Sequence, residues 1–327
     1  MLSFEDFRGQ SAHIPQLESD FASGSYVHAY LLTGPKGTGK KSVAQLCTMA
    51  ALCRGEHKPC GVCGPCRRVL AGTHPDVHTV VPQKDKKTIG VEVIREAIEE
   101  VGVKSFEDGA KILLIPQAEI MTPQAQNCLL KTLEEPPQGT VFFLIAQQSG
   151  ALLETIVSRC RVVRFHPLGL KEAAKRLSAL GLEPKEALVR ARIAEGCVGQ
   201  ALEIDETQME LRRVLTRDVF SVRGAADVLP AVNLYKDDKE RQRLVMDVLD
   251  CAVRDILLAQ AGSAPLEQAG YAPQAEAYAQ KVPLSGGLEL SQTVLKARRM
   301  LGSNVAFASA FETILLKVSE EYAKWPW

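Results

Sequence analysis

Residues Gly34–Ser42, "GPKGTGKKS", have the types and spacing of a phosphate cradle. In the pattern G-x-x-x-x-G-K-[ST], backbone N–H groups wrap the phosphates, the lysine reaches the outer ones, and the final hydroxyl ligates magnesium. Gly34, Gly39 and Lys40 satisfy it, and Lys36 and Gly37 lie inside the loop. Lys41 occupies the hydroxyl position. Ser42 comes one residue late, and on a helix one residue turns a side chain by roughly 100°. The stretch Gly34, Lys36, Gly37, Gly39, Lys40, Lys41 and Ser42 leaves binding of ATP or ADP open but has no hydroxyl where the metal requires it.

Hydrolysis also needs carboxylates at the end of a second strand, to hold magnesium and to position water. That strand is "KILLIPQAEIM", where Pro116 and Gln117 follow the apolar run. Neither supplies a metal ligand or a base. Glu119, two residues on, is expected to project from a different place. The hydrolytic machinery reads as dismantled.

A second constellation is "CRGEHKPCGVCGPC", with Cys53, Cys60, Cys63 and Cys66 spaced C-x6-C-x2-C-x2-C. Two-residue gaps let neighbouring thiolates converge on one ion, and Gly61, Gly64 and Pro65 supply tight turns. Four thiolates fill a tetrahedral shell, so the expected ion is a structural zinc with no open position. Cys47, Cys128, Cys197 and Cys251 sit in apolar helical patterns and are expected to be small core residues.

These groups need elements to position them. From Val27 to Phe165 short apolar runs alternate with amphipathic stretches, the pattern of an α/β parallel sheet with crossover helices. The expected strands are Ala29–Gly34, Val77–Pro82, Lys111–Pro116, Val141–Ala146 and Cys160–Phe165, apolar enough to be buried on both faces. Helices are expected over Lys40–Leu52, Val91–Gly102 and Pro123–Glu135, then over Asp238–Ala261, Leu288–Met300 and Asn304–Tyr322. Boundaries near 166 and 205 divide the chain into an α/β part (1–166) carrying the knuckle at 53–66, a small helical part (167–205) and an all-helical part (206–327).

Composition narrows the function classes. The 327 residues are 46% hydrophobic and 24% charged, as in ordinary globular proteins. The 39 basic and 39 acidic residues cancel, so net charge does not suggest a chain that wraps nucleic acid or a membrane surface by itself. No secretory h-region and no long apolar span occurs, and nine cysteines without an export signal suit a reducing compartment. A cytoplasmic protein with no membrane partner is expected.

The order of motifs is itself informative. "HAYLLTGPKGTGKKS", the four cysteines, "THPDVHTV", "LLKTLEEPP" and "TIVSRCRVVRF" together resemble the bacterial DNA polymerase III clamp-loader subunits of the AAA+ class. The likeness runs from Phe4 to about Leu202, and "GSNVAFASAFETILL" resembles that family's C-terminal helical collar. The resemblance implies an AAA+ P-loop domain, a helical lid and an all-α oligomerisation collar. Within the family the choice lies between the ATP-hydrolysing gamma/tau type and the delta-prime type. The motor's Walker A hydroxyl falls on Lys41, its Walker B acids on Pro116 and Gln117, its sensor-1 residue near Gln147 and its sensor-2 arginine near Gly199. Ser158, Arg159 and Cys160, the "SRC" motif, are intact. In the family that arginine reaches the γ-phosphate of a neighbour's ATP, so Arg159 is the expected finger in trans.

The resemblance therefore implies a non-hydrolysing, stator-like subunit, with gamma/tau and delta subunits and the sliding clamp as partners and primed DNA met through the assembled complex. Two other readings stay open. One is an ATPase motor with unconventional metal ligands, Ser42 and Glu119. The other is a free-standing zinc-knuckle nucleic-acid binder, which the neutral charge balance disfavours. "KDKK" (Lys84–Lys87) is expected to be a solvated loop, and the terminal "KWPW" offers two tryptophans for packing.

Overall fold

The computed structural model describes residues 3–325 apart from 85, 104, 107, 108, 238, 264–269 and 304, and of residue 240 the backbone alone. The chain divides into two compact units, Met1–Glu172 with Glu195–Gln200, and Ala173–Ala194 with Ala201–Trp327.

In the first unit the order is α1 (Ile14–Ser23), β1 (Ala29–Thr33), α2 (Lys40–Leu52), α3 (Gly64–Ala71), β2 (Val77–Thr79), α4 (Val91–Gly102), β3 (Lys111–Ile115), α5 (Pro123–Glu134), β4 (Thr140–Ala146), α6 (Glu154–Val157) and β5 (Arg161–Arg164). The strands form one parallel sheet in the order β2-β3-β4-β1-β5. Every residue of β1, β3 and β4 is buried, as strands with helices on both faces require. The two edge strands are partly exposed.

Side chains of β1 alternate between two cores, because successive Cβ atoms point to opposite faces. Tyr30 and Leu32 join Phe21 of α1, Val43 and Met49 of α2, and Phe143 and Ile145 of β4. Ala29 and Leu31 join Ile94 of α4, Leu129 of α5, and Phe142 and Leu144 of β4. The rings of Phe21, Tyr30 and Phe143 pack together with centroids 5.4–5.8 Å apart, Phe143 stacking on both of the others. Each such ring removed from water contributes about 1.5–3 kcal/mol. The sheet's carboxyl edge is thereby fixed, and the loops after β1, β3 and β4 leave from it.

The expected strands and helices are observed with small shifts. β2 stops at Thr79, three residues short of Pro82, although Val80 N–H still donates to Leu114 O at 2.8 Å. α5 ends at Glu134, and Pro136 and Pro137 follow its cap.

The second unit is helical: α7 (Leu170–Ala179, its first turn in the first unit), α8 (Pro184–Ile193), α9 (Val198–Glu203, entered from the first unit), α10 (Glu206–Phe220), α11 (Ala225–Asn233), α12 (Lys239–Gln260), α13 (Pro273–Lys281), α14 (Leu284–Gly302) and α15 (Phe307–Lys324). α14 starts four residues before the expected Leu288, because Gly286 and Gly287, poor helix formers, hide its first turn in the sequence. One apolar core binds α10–α15, with Phe220 and Tyr322 each against the ring of Tyr278 and Phe311 against Tyr235 and Phe307.

Beside this core lies a buried charge. Asp255 of α12 is 1% exposed, with Arg192 Nε of α8 at 3.6 Å and Arg212 Nη2 of α10 at 3.9 Å. Tyr271 Oη donates to Asp255 Oδ2 at 2.8 Å and accepts from Arg212. One carboxylate thus ties α8, α10 and α12 together. Asp255→Ala would leave two buried guanidinium groups without their counter-charge, a loss of about 3–5 kcal/mol. Urea unfolding of the variant should show it. Arg213→Ala, which breaks the exposed pair with Glu210, should cost no more than about 1 kcal/mol. Equal effects of the two substitutions would contradict this account.

Candidate functional site

The glycine-rich loop leaves β1 and opens α2, whose first residue is Lys40. The backbone N–H groups of a helix N-terminus so placed suit an anion. The Lys40 ammonium is buried and donates to its own loop, to Gly34 O at 2.5 Å and Pro35 O at 2.6 Å. Burial pulls it below the ordinary lysine value, while the carboxylate of Glu119 acts in the opposite sense. Thr38 Oγ1 donates to Pro35 O at 2.8 Å, so the loop is braced internally. Lys36 and Lys41 are exposed and Ser42 half-buried.

The loop is also met from outside. Gly199 N–H donates to Gly37 O at 2.8 Å. Gly37 has φ +79°, and a Cβ there would stand 2.5 Å from Gln200 N. Only glycine fits both the left-handed turn and this approach. The position of the resembled sensor-2 arginine, Gly199, is thus spent on a backbone contact that an arginine's Cβ would crowd, at 2.9 Å from Gly37 Cα.

After β3 come Pro116 and Gln117, then a 3-10 turn at Ala118–Ile120. Glu119 lies in this turn, and its carboxylate charge favours the protonated form of Lys40. Its Oε2 is buried with no hydrogen-bond partner among the described residues. After β4, Gln147 has an exposed side chain and accepts from Gly34 N at 3.1 Å through its carbonyl.

Arg159 follows α6 and precedes β5, which places it at the amino edge of the sheet. The phosphate loop follows β1 at the carboxyl edge, and β1 and β5 are parallel. Four strand residues at about 3.3 Å each put roughly 13 Å of sheet between the two edges. The Arg159 side chain is 35% exposed; Nη1 donates to Thr155 O at 2.9 Å, and Nη2 pairs with Glu134 Oε1 at 2.5 Å. Ser158 Oγ donates to Thr155 O at 3.1 Å, closing the end of α6. Cys160 faces the core, and burial pushes its thiol up to about 12. Its side chain packs in the core that holds Ala29, Leu31 and Ile156. Glu134 is the residue that sequence reasoning missed, although "LLKTLEEPP" contains it; its meeting with Arg159 depends on how α5 and α6 converge.

The four cysteines gather into one cluster, every pair of sulfurs within 4.8 Å. Cys53 caps α2, Cys66 lies in the first turn of α3, and Cys60 and Cys63 lie on or just after the connecting loop. Backbone N–H groups aim at the sulfurs: Gly55 and Cys60 at Cys53 Sγ, both 3.3 Å, and Cys63 at Cys60 Sγ, 3.4 Å. The N–H groups of Val62 and Cys63 pull the Cys60 thiol down to about 6, whereas burial pushes Cys66 up. A Cβ at Gly55 would stand 3.1 Å from Cys60 Sγ, so the chain leaves the cluster room. Mutually close, N–H-supported sulfurs suit a tetrahedral metal ion such as zinc. Of the other cysteines, Cys47 and Cys197 are buried, Cys197 lying between α8 and α9 and not within a helix, and Cys128 and Cys251 are half-buried.

The remaining features are surface features. Lys84, Lys86 and Lys87 are exposed, and Asp85 lies outside the described residues. Trp325 is 42% exposed, and Pro326 and Trp327 lie outside them too. Among the described residues no helix is long and apolar enough to cross a membrane.

Comparison with known proteins gives this geometry a lineage. A family model described as DNA polymerase III, delta subunit, matches residues 9–169. The chain is 31% identical over 305 residues to the DNA polymerase III subunit delta' of Bacillus subtilis (strain 168), covering 90% of this chain and 91% of that one. It is 36% identical over 192 residues to the delta' subunit of Escherichia coli (strain K12), a match that spans only 58% of either chain. To the DNA polymerase III subunit tau of Escherichia coli (strain K12) it is 29% identical over 266 residues, 78% of this chain and 41% of tau. The parallel α/β sheet with its glycine-rich loop and the all-helical C-terminal region agree with the layout that the resemblance of the motifs implies. With the Bacillus relative matched along nine-tenths of its length, this chain belongs to the delta' family of DNA polymerase III subunits.

Proposed function

We propose that this chain is a non-hydrolysing, stator-like subunit of the DNA polymerase III clamp loader, and that it donates Arg159 to the ATP of an adjacent gamma/tau-type subunit during sliding-clamp loading in DNA replication. One observation carries the reading: Arg159 and the phosphate loop occupy opposite edges of one parallel sheet. The arginine is poorly placed for a phosphate held in its own loop and well placed for one brought by a neighbour. A planar, permanently charged fork stabilises charge spread over transferring phosphoryl oxygens.

The loop side supports the same conclusion. Lys41, Pro116 and Gln117 stand where hydrolysis needs a hydroxyl and two carboxylates, and Lys40 is held by loop carbonyls. ATP or ADP binding is compatible with this loop; turnover is not. In this proposal residues 1–166 are the AAA+ part with a zinc knuckle, 167–205 the lid and 206–327 the collar, and Asp255 locks lid helix α8 onto collar helices. The delta subunit, the clamp and primed DNA are met in the assembled cytoplasmic complex. The motor reading draws on the charge of Glu119, which favours the protonated form of Lys40, and the same experiments separate the two.

The isolated chain with magnesium and ATP should show no turnover above background; turnover abolished by Lys40→Ala would overturn the proposal. In a loader reassembled with gamma/tau and delta subunits, Arg159→Ala should lower ATP hydrolysis by roughly 10³-fold. Unchanged hydrolysis would remove the finger assignment. Elemental analysis of the purified chain should find about one zinc per chain, as a closed four-thiolate shell requires. Cys60→Ser and Cys63→Ser should each reduce that content and lower the thermal midpoint; full zinc in both variants would refute the site.

A further inference from the structure

Glu134 has a partner that its own helix does not explain. It is the last residue of α5 and Glu135 caps the helix, so two acids stand at the negative end of the macrodipole. Lys131 in the last turn is the basic residue such a place favours; a carboxylate at the terminus is not. What compensates Glu134 lies across the chain: its Oε1 accepts from Arg159 Nη2 at 2.5 Å, twenty-five residues away. Thr155 O takes Nη1 at 2.9 Å, and Ser158 Oγ lies 3.5 Å from the same nitrogen. The guanidinium is therefore gripped at both terminal nitrogens by groups from α5 and α6.

We infer that Glu134 is a positioning residue for Arg159, fixing the plane of the guanidinium so that its remaining N–H donors meet the terminal phosphate of a nucleotide held by a neighbouring subunit. The inference rests on the reading of Arg159 as a finger in trans. A guanidinium carries five N–H donors in one rigid plane, so two held contacts define where the others aim. A free arginine has many rotamers, and a misplacement of about 1 Å in a reacting geometry costs up to about 10²-fold in rate. A carboxylate that withheld the arginine would slow the reaction instead, and the two roles give opposite signs on removal.

The test uses the loader reassembled from this chain, gamma/tau-type ATPase subunits, delta and the clamp, with ATP hydrolysis measured across ATP concentrations. Glu134→Ala should lower kcat about tenfold, between no effect and the 10²-fold ceiling for misplacement, with KM little changed. Glu134→Gln, whose amide oxygen still accepts from Arg159, should retain most of the rate. In an Arg159→Ala background Glu134→Ala should add nothing, because it acts through the arginine. The thermal midpoint of Glu134→Ala should move by no more than about 3 °C, since the pair is exposed. A rate in Glu134→Ala equal to or above that of the unaltered loader overturns the inference, as does a loss that persists undiminished beside Arg159→Ala. If Arg159→Ala alone leaves hydrolysis intact, the finger reading falls and this inference with it. If Arg159→Ala slows hydrolysis and Glu134→Ala does not, the inference alone falls.

Discussion

Parallel pairing of β1 with β4 on one side and β5 on the other is the constraint on which the first unit depends. Parallel strands send all their carboxyl ends one way, so the loops after β1, β3 and β4 converge and the segments before β4 and β5 converge on the other edge. Gly34–Ser42, Glu119 and Gln147 belong to the first group. Glu134 and Arg159 belong to the second. The separation of the glycine-rich loop from Arg159 is thus a property of strand direction, and local motif chemistry only refines it. The double core makes the direction robust, because a one-residue slip of β1 would exchange Tyr30 and Leu32 with Leu31 between two differently shaped environments.

Strand and helix identities were legible where burial is two-sided or strictly periodic. β1, β3 and β4 read as unbroken apolar runs because both faces are covered, and α4 shows an apolar stripe at Ile94, Ala97 and Val101. Legibility failed where a position is decided by something distant in the chain. The Gly286–Gly287 pair conceals the start of α14. Nothing local marks Gly199 as the neighbour of Gly37, or Glu134 as the neighbour of Arg159, since both meetings are made by folding. Glu119 is a mixed case: its spacing was visible, but the 3-10 turn that brings its charge to bear on Lys40 was not. The cysteine array was the most legible feature, because two-residue spacing forces sulfurs together whatever surrounds them.

Two of the salt-bridged systems among the described residues differ in kind. Around Asp255 the charges are almost wholly withdrawn from water, where a missing partner costs several kcal/mol, so α8, α10 and α12 are bound as a block. At Arg159 the pair is short but open to solvent, where such pairs are worth about 0–1 kcal/mol. A contact that weak cannot be there for stability. It can set the plane of a side chain while its other N–H donors stay open to solvent. Rigid burial around Asp255 and solvent-exposed orientation at Arg159 are thus two different uses of the same pair of charges: one binds helices together, the other aims a single guanidinium.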